Sequence, residues 1–284
     1  MPSAGDDAER CPFCEGREAA TPPETFALGP PGRPADAPAW RVRVVPNKFP
    51  AFGPWRGGDE RDGLFARRPA LGRQEVVVHS PRHVRSLADL RQRELEDVAA
   101  AWRARAEAAR EQGFRLYACV NEGAAAGASL AHSHSQLFWL REEPPAVERE
   151  RRAQEASNGC LLCELVARER ERRVRVVCER DGLVLLCPFA SRLPYELLVA
   201  PAECEGDPFA PGRAEAGLAL VRDGLRRLRA AEGSVALNIW LHAPGHWHFE
   251  VVPRLSVLAG LELGAGYHVN TLAPESAAGI LREA

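Results

Sequence analysis

The sequence lacks an excess of charge of one sign, a long apolar run and a secretory start. Its 284 residues carry a net charge of -2, with a pI near 6.5, so no broad basic surface for nucleic acid is predicted. Apolar runs such as GLVLLCPFA are far shorter than a membrane span requires. The first residues, MPSAGDDAER, are polar and acidic, unlike a signal peptide. We therefore expect a cytoplasmic globular protein that binds neither nucleic acid nor membrane.

Cysteine, by contrast, is present in an informative pattern. Four of the eight cysteines form two C-x-x-C pairs, Cys11–Cys14 and Cys160–Cys163. In a reducing compartment such pairs indicate metal binding rather than disulfides. Two intervening residues let both thiolates hold one tetrahedral Zn²⁺. A redox dithiol is the alternative, but that motif begins a helix after a strand, whereas Cys11 follows a polar terminal segment.

The most distinctive stretch, Asn121–Trp139, passes from a glycine- and alanine-rich loop into alternating residues. His132, His134 and Gln136 share one face of an extended strand, and the serines between them point the other way. The loop can bring backbone N–H groups close to an anion, and an imidazole can attack phosphorus. One histidine alone would indicate core packing. The full pattern Asn-x-Gly-x-x-x-Gly-x-Ser-x-x-His-x-His-x-Gln instead predicts a phosphate site.

The remaining patterns predict an α+β chain built twice. Strands are predicted at 40–50, 74–80, 115–121 and 132–140, with helices at 90–111 and 144–157. After residue 157 the order restarts, with a cysteine pair, a strand at 195–204, a helix at 214–231 and a second His-x-His at 246–248. A short helix follows Pro274. We predict two tandem half-domains, 1–150 and 151–284, each an antiparallel sheet with packed helices.

The Asn121–Trp139 motif resembles the active site of the galactose-1-phosphate uridylyltransferase branch of the histidine-triad superfamily. Its HSHSQ form is most similar to the ADP-glucose phosphorylase members of that branch. The GLELGAGYHVN tail also resembles those members, and it lacks the Lys-Phe-x-x-Gly run that hexose-1-phosphate uridylyltransferases use to hold the hexose. The resemblance implies histidine-triad-like halves, two structural zinc ions and a homodimer.

The resemblance also implies the metal ligands. The first zinc site would use Cys11, Cys14, His83 of the SPRH segment and His132. The second would use Cys160, Cys163, Cys204 and His246. Cys204 stands where the family usually has histidine, and a thiolate is an equally good tetrahedral ligand. An alternative second site, similar to that of uridylyltransferases, would use Glu150, His242, His246 and His248.

By the same resemblance, His134 attacks the α-phosphorus of a nucleoside-diphosphate sugar, and the nucleotidyl-histidine then passes its nucleotide to inorganic phosphate or a sugar 1-phosphate. One ring nitrogen must be free, so we expect a backbone carbonyl near zinc-bound His132 to hold the other. Gln136 replaces the third histidine of the related hydrolases. An amide donates a hydrogen bond to a phosphoryl oxygen but cannot protonate a poor leaving group.

Five residues are predicted to bind substrate. Ser129 and Gly127, with the loop amides, would hold the phosphates, and Asn121 would orient the loop or contact a phosphate. The resemblance places Asn47 against the nucleoside and Phe49 beside the base, although Asn47 is equally well explained as a turn residue. Two alternatives stay open, a nucleotide hydrolase and a zinc-stabilised nucleotide-binding protein without turnover.

Overall fold

The computed structural model describes residues 8–284 except 55, 56, 158 and 244, so most of the polar start lies outside the described residues. Within these described residues there are twelve strands: β1 Phe26–Leu28, β2 Val42–Pro46, β3 Glu60–Asp62, β4 Phe65–Arg67, β5 Gly72–Val78, β6 Arg115–Glu122, β7 His134–Leu140, β8 Val176–Arg180, β9 Leu183–Leu186, β10 Leu197–Pro201, β11 Leu237–His242 and β12 His248–Pro253. The α-helices are α1 Gln92–Glu111, α2 Pro145–Glu155, α3 Leu161–Arg172, α4 Arg213–Glu232 and α5 Pro274–Glu283.

Ten of these strands form one sheet in the order β1-β2-β5-β7-β6-β11-β12-β10-β9-β8. The ladders between neighbours are antiparallel throughout the described part of the chain. Five strands come from each half, and β6 pairs with β11 at the centre. The predicted α+β class with antiparallel strands is confirmed, and the halves share one continuous sheet. The proposed boundary at residue 150 falls within α2 and stays a prediction.

Two long helices pack on the same sheet and on each other. α1 contacts β2 and β6, α4 contacts β9, β10 and β12, and α1 contacts α4. α1 buries Leu95, Val98 and Trp102 at helical spacing, so its apolar stripe faces the sheet. Within the described residues, no helix has the length and apolar character needed to cross a bilayer.

Several elements were not predicted from the sequence. β1 lies in a segment rich in proline and glycine, and the β3–β4 hairpin lies in a charged segment that follows β2. Three-residue strands are too short for a periodic signal in the sequence. β1 is a strand because it pairs with β2 in an antiparallel ladder. α3 begins directly after Cys160, whose sulfur accepts a hydrogen bond from the Cys163 backbone N–H.

Candidate active site

β7 presents two chemically different faces. Trp102 on α1 donates a hydrogen bond to Ser135 Oγ at 2.9 Å, and Ser133 Oγ lies 2.9 Å from His79 Nδ1. Both serines therefore face the helical side of the sheet. His134 and Gln136 alternate with them and face the opposite side, where a cavity of about 270 Å³ opens.

The cavity brings together five of the residues predicted from the sequence, namely Asn47, Phe49, Ser129, His134 and Gln136. Most of the other lining groups are apolar, and they include Pro12, Phe13, Pro22, Val45, Val76 and Leu130. A mostly apolar cleft with a few polar groups is the usual form of a small-molecule site. Of the predicted substrate-binding residues, Asn121 and Gly127 are not among the lining groups.

His134 is 6 % exposed, and its Nδ1 donates a hydrogen bond to the backbone carbonyl of His132 at 2.7 Å. A carbonyl oxygen can only accept, so Nδ1 carries the proton and Nε2 keeps its lone pair for the cavity. Burial lowers the pKa of His134, although the carbonyl hydrogen bond opposes that shift. The ring is therefore neutral near pH 7, which is the state a nucleophile requires.

The loop before β7 is held in place by hydrogen bonds from β11. Asn238 on β11 donates from Nδ2 to Asn121 Oδ1 at 2.8 Å and to the Ala126 carbonyl at 2.9 Å. Gly123 has φ +81°, and a Cβ there would lie 2.8 Å from the Ala236 Cβ, so only glycine fits. Of the two roles predicted for Asn121, the geometry supports loop orientation.

The segment after β2 forms the rim of the cavity. Asn47 Oδ1 accepts from the Phe49 backbone N–H at 2.9 Å, which is an Asx turn. Phe49 is 82 % exposed. Asn47 is thus a turn residue that also lines the cavity, and its contact with the nucleoside stays a prediction.

Two groups that complete this site were missed at the sequence level. Phe13, inside the first cysteine pair, has its ring centroid 5.4 Å from that of His134. Gln74 on β5 donates to Gln136 Oε1 at 2.5 Å. A polar residue at a buried position of a strand otherwise rich in valine was the available signal for Gln74.

Cys11, Cys14, His83 and His132 form a cluster whose four ligand atoms all lie within 4.8 Å of one another. Cys11 Sγ lies 3.5 Å from His132 Nδ1, and Cys14 Sγ lies 3.3 Å from His83 Nδ1. His132 Nε2 donates to the Ser80 carbonyl at 2.8 Å, which leaves Nδ1 unprotonated for a metal. Burial and the neighbouring Cys11 raise the pKa of Cys14 to about 12, an electrostatic cost that a bound cation would remove.

A second cluster of the same kind unites Cys160, Cys163, Cys204 and His246 within 4.8 Å. His246 Nδ1 lies 3.4 Å from Cys160 Sγ and 3.3 Å from Cys163 Sγ. Its Nε2 donates to the Pro201 carbonyl at 2.9 Å, the counterpart of the bond made by His132. Both donor sets, thiolate with imidazole, suit tetrahedral Zn²⁺.

The alternative ligand set for the second metal is divided by the structure. His246 lies with the three cysteines, whereas Glu150, His242 and His248 lie with Glu250 in a third group within 4.8 Å. His242 Nδ1 is 2.8 Å from Glu150 Oε1, and His248 Nε2 is 3.7 Å from Glu250 Oε1. Arg192 also forms an ion pair with Glu250, so this third group already contains one charged partner.

Comparison with known proteins places this geometry among nucleotidyl-transferring enzymes. Residues 42–144 match the family model for the galactose-1-phosphate uridyl transferase N-terminal domain. The chain is 28 % identical over 295 residues to ADP-glucose phosphorylase of Arabidopsis thaliana, covering 96 % of this chain and 81 % of that protein. It is 27 % identical over 247 residues to galactose-1-phosphate uridylyltransferase of Thermotoga maritima, covering 78 % of this chain and 77 % of the relative.

Solved structures agree. The crystal structure of an Arabidopsis thaliana ADP-glucose phosphorylase with bound ADP-glucose superposes with a TM-score of 0.80 at 27 % identity, covering 96 % of this chain and 90 % of that one. The predicted resemblance is thus confirmed, and so is the prediction of an enzyme of the nucleotidyltransferase class.

Proposed function

With nucleotidyl transfer as the premise, we propose that His134 is the nucleophile and that a nucleoside-diphosphate sugar is the donor. One observation carries the proposal, the hydrogen bond from His134 Nδ1 to the His132 carbonyl in a ring that lines the cavity. It supports a fixed tautomer with Nε2 unprotonated, and a buried neutral imidazole needs no base to activate it.

In the first step Nε2 of His134 bonds to the α-phosphorus, and the bond from that phosphorus to the bridging oxygen breaks. The sugar 1-phosphate leaves with the bonding electrons. In the second step an oxygen of inorganic phosphate or of a second sugar 1-phosphate attacks the same phosphorus and releases the imidazole. The N–P bond is labile, so both steps run without a strong acid.

Gln136 fits transfer better than hydrolysis. Its amide has no proton to give at neutral pH, so it stabilises the phosphoryl oxygens by hydrogen bonding only. The leaving group must then be good by itself, as a sugar phosphate is. Ser129, which lines the cavity beside His134, is proposed as a further phosphate contact. Asn47 and the exposed ring of Phe49 are proposed to contact the nucleoside.

Zinc is the proposed metal for both cysteine–histidine clusters, Cys11, Cys14, His83 and His132 in the first and Cys160, Cys163, Cys204 and His246 in the second. Four protein ligands leave no open coordination position, so a bound ion supplies rigidity rather than chemistry. In the first cluster that rigidity would fix His132, whose carbonyl in turn orients His134.

The remaining proposals concern the surroundings of the enzyme. A cytoplasmic location is supported by the eight cysteines, all of which lie in the described part of the chain and none of which forms a disulfide. A homodimer is proposed from the family resemblance alone. Size-exclusion chromatography with light scattering tests the latter directly.

The test is intact-mass spectrometry after mixing the protein with ADP-glucose or UDP-glucose without an acceptor. We expect one added nucleoside monophosphate per chain, lost again on addition of phosphate or a sugar 1-phosphate. The nucleotide that is retained identifies the base. His134→Asn should give no adduct.

Two outcomes would overturn the proposal. Steady release of free nucleoside monophosphate without an adduct would indicate a hydrolase. Binding of the nucleotide sugar with neither adduct nor release would indicate a nucleotide-binding protein without turnover.

A further inference from the structure

Gln74 and Gln136 are diagonal neighbours on the cavity face of the sheet. In the β5–β7 ladder Gln74 pairs with Phe138 and Gln136 pairs with Val76, so the two amides sit on the same face two positions apart. Gln74 is 8 % exposed, and its Nε2 donates to Gln136 Oε1 at 2.5 Å. Gln74 itself is not among the residues that line the cavity.

Gln74 is also bonded to both ends of the loop that forms the cavity rim. Its side-chain Oε1 accepts from the backbone N–H of Ala51 at 2.7 Å. Its backbone carbonyl accepts from the N–H of Asn47 at 2.8 Å. The loop that carries Asn47 and Phe49 is thereby joined to Gln136 through one buried residue.

The direction of these bonds is fixed by chemistry. A backbone N–H can only donate, so Gln74 must turn its oxygen towards Ala51 and its NH₂ towards Gln136. Gln136 must then accept with Oε1, which leaves its own NH₂ for the cavity. An isolated glutamine amide has no such preference, because its two ends are nearly equal in shape.

We infer that Gln74 is a positioning residue that sets Gln136 as a hydrogen-bond donor to the phosphoryl group. The inference rests on the proposed function, in which Gln136 contacts a phosphoryl oxygen. Those oxygens are acceptors, so the NH₂ end stabilises the charge that develops on them, whereas the carbonyl end repels it. Gln74 thus determines the sign of the interaction without touching the substrate.

Gln74→Glu tests the inference by reversing the direction of the hydrogen bond between the side chains at positions 74 and 136. A carboxylate still accepts from Ala51, but it can only accept from Gln136 as well, which must then turn its oxygen to the cavity. We expect the rate of nucleotidyl-enzyme formation to fall about 100-fold. Gln112→Glu makes the same chemical change at an exposed position at the end of α1, and should leave the rate unchanged.

The pH dependence distinguishes positioning from a merely structural role. Once protonated, the carboxyl group introduced by Gln74→Glu again has a donor for Gln136, so the ratio of variant to wild-type rate should rise as the pH falls. His134 and Lys48, the ionisable groups among the cavity lining, are common to both proteins. The adjacent Glu75 points to the other face of the sheet, where it pairs with Arg105. A structural defect would give a ratio that does not change with pH.

A second variant keeps the inference testable should Gln74→Glu fail to fold. Gln74→Met removes the side-chain hydrogen bonds to Ala51 and Gln136 without adding charge, and should slow adduct formation about 10-fold. In a Gln136→Met background the same change should have almost no effect on the rate, because the residue it orients is gone.

Two results have different meanings. If the wild type forms no adduct, the proposed function is wrong and the inference fails with it. If the wild type forms the adduct, three outcomes would show that Gln74 has no positioning role. Gln74→Glu could match the wild-type rate, the ratio of the two rates could be independent of pH, or the effects of Gln74→Met and Gln136→Met could be additive. The chemistry of His134 would stand in each case.

Discussion

The two His-x-His segments share a backbone plan and differ in what faces the second histidine. In each, the first histidine donates from Nε2 to a carbonyl and turns Nδ1 to a pair of cysteines. The second then places Nδ1 near the carbonyl of the first, at 2.7 Å for His134 and 3.3 Å for His248. Beyond that point the halves diverge. His134 lines a cavity, whereas His248 lies against Glu150 and Glu250.

The neighbours shift the pKa values of the two rings in opposite directions. Burial lowers the pKa of His134. Burial would also lower that of His248, but the hydrogen bond with Glu250 and the charges of Glu150 and Glu250 raise its pKa overall. The same strand and turn therefore present an imidazole with a lowered pKa in one half and an imidazole with a raised pKa in the other. A change of neighbouring groups is therefore enough to give two histidines on similar strands opposite pKa shifts.

The largest expected effect comes from replacing each second histidine in turn. His134→Asn should abolish the adduct and lower turnover by at least about 1,000-fold, because asparagine offers no nucleophilic nitrogen. His248→Asn should still form the adduct on mixing with the nucleotide sugar. Intact-mass spectrometry measures both. An adduct that disappears in His248→Asn but survives in His134→Asn would reverse the assignment of the halves.

Metal content should separate the two clusters next. Cys11→Ser and Cys204→Ala should each lower zinc by one ion per chain and cost several kcal/mol of unfolding free energy. Only Cys11→Ser should also slow adduct formation, since its cluster holds His132 beside the nucleophile. Elemental analysis and thermal unfolding provide the measurements, with Cys178→Ser on β8 as a control outside both clusters.

Unchanged zinc in Cys204→Ala would contradict the three-cysteine site. That result would favour the group around Glu150 and His242 as the ligands of the second ion.

A smaller effect concerns acid stability in the second half. Arg192, His248 and His242 outweigh burial and hold the pKa of Glu250 at about 2, against 4.5 for the free side chain. A depressed pKa contributes stability above pH 4.5 that is lost as the pH falls towards 2. Glu250→Gln should therefore lower the free energy of unfolding by about 2 kcal/mol near neutral pH and by almost nothing near pH 2. Urea unfolding across this range checks it.

The exposed Glu171→Gln is the matched control and should not change the pH dependence. If Glu250→Gln lowers the free energy of unfolding equally at all pH values, the carboxylate of Glu250 is not stabilised in the folded state.

The sequence predicted those features that depend on short, local patterns. The alternation around His134, the amphipathic stripe of α1 and the spacing of each cysteine pair all lie within a few residues of one another. It did not predict the contacts made across strands. Gln74 meets Gln136 only through the β5–β7 register, and Glu250 meets Glu150 only after α2 returns to the sheet. The division of His246 from His242 was equally a matter of tertiary placement.

The smallest expected effect concerns the hydrogen bonds that the second half donates to the first. Asn238 on β11 donates to Asn121 and to the Ala126 carbonyl, so the second half orients the loop before the nucleophile. Asn238→Ala should raise KM for the nucleotide sugar about 5-fold with little change in kcat, the loss of about 1 kcal/mol of hydrogen bonding. Asn270→Ala, which removes a bond to the Ser191 carbonyl within the second half, should leave KM unchanged. Equal kinetics for Asn238→Ala and wild type would mean that the first half orients the loop before β7 without these two hydrogen bonds from the second half.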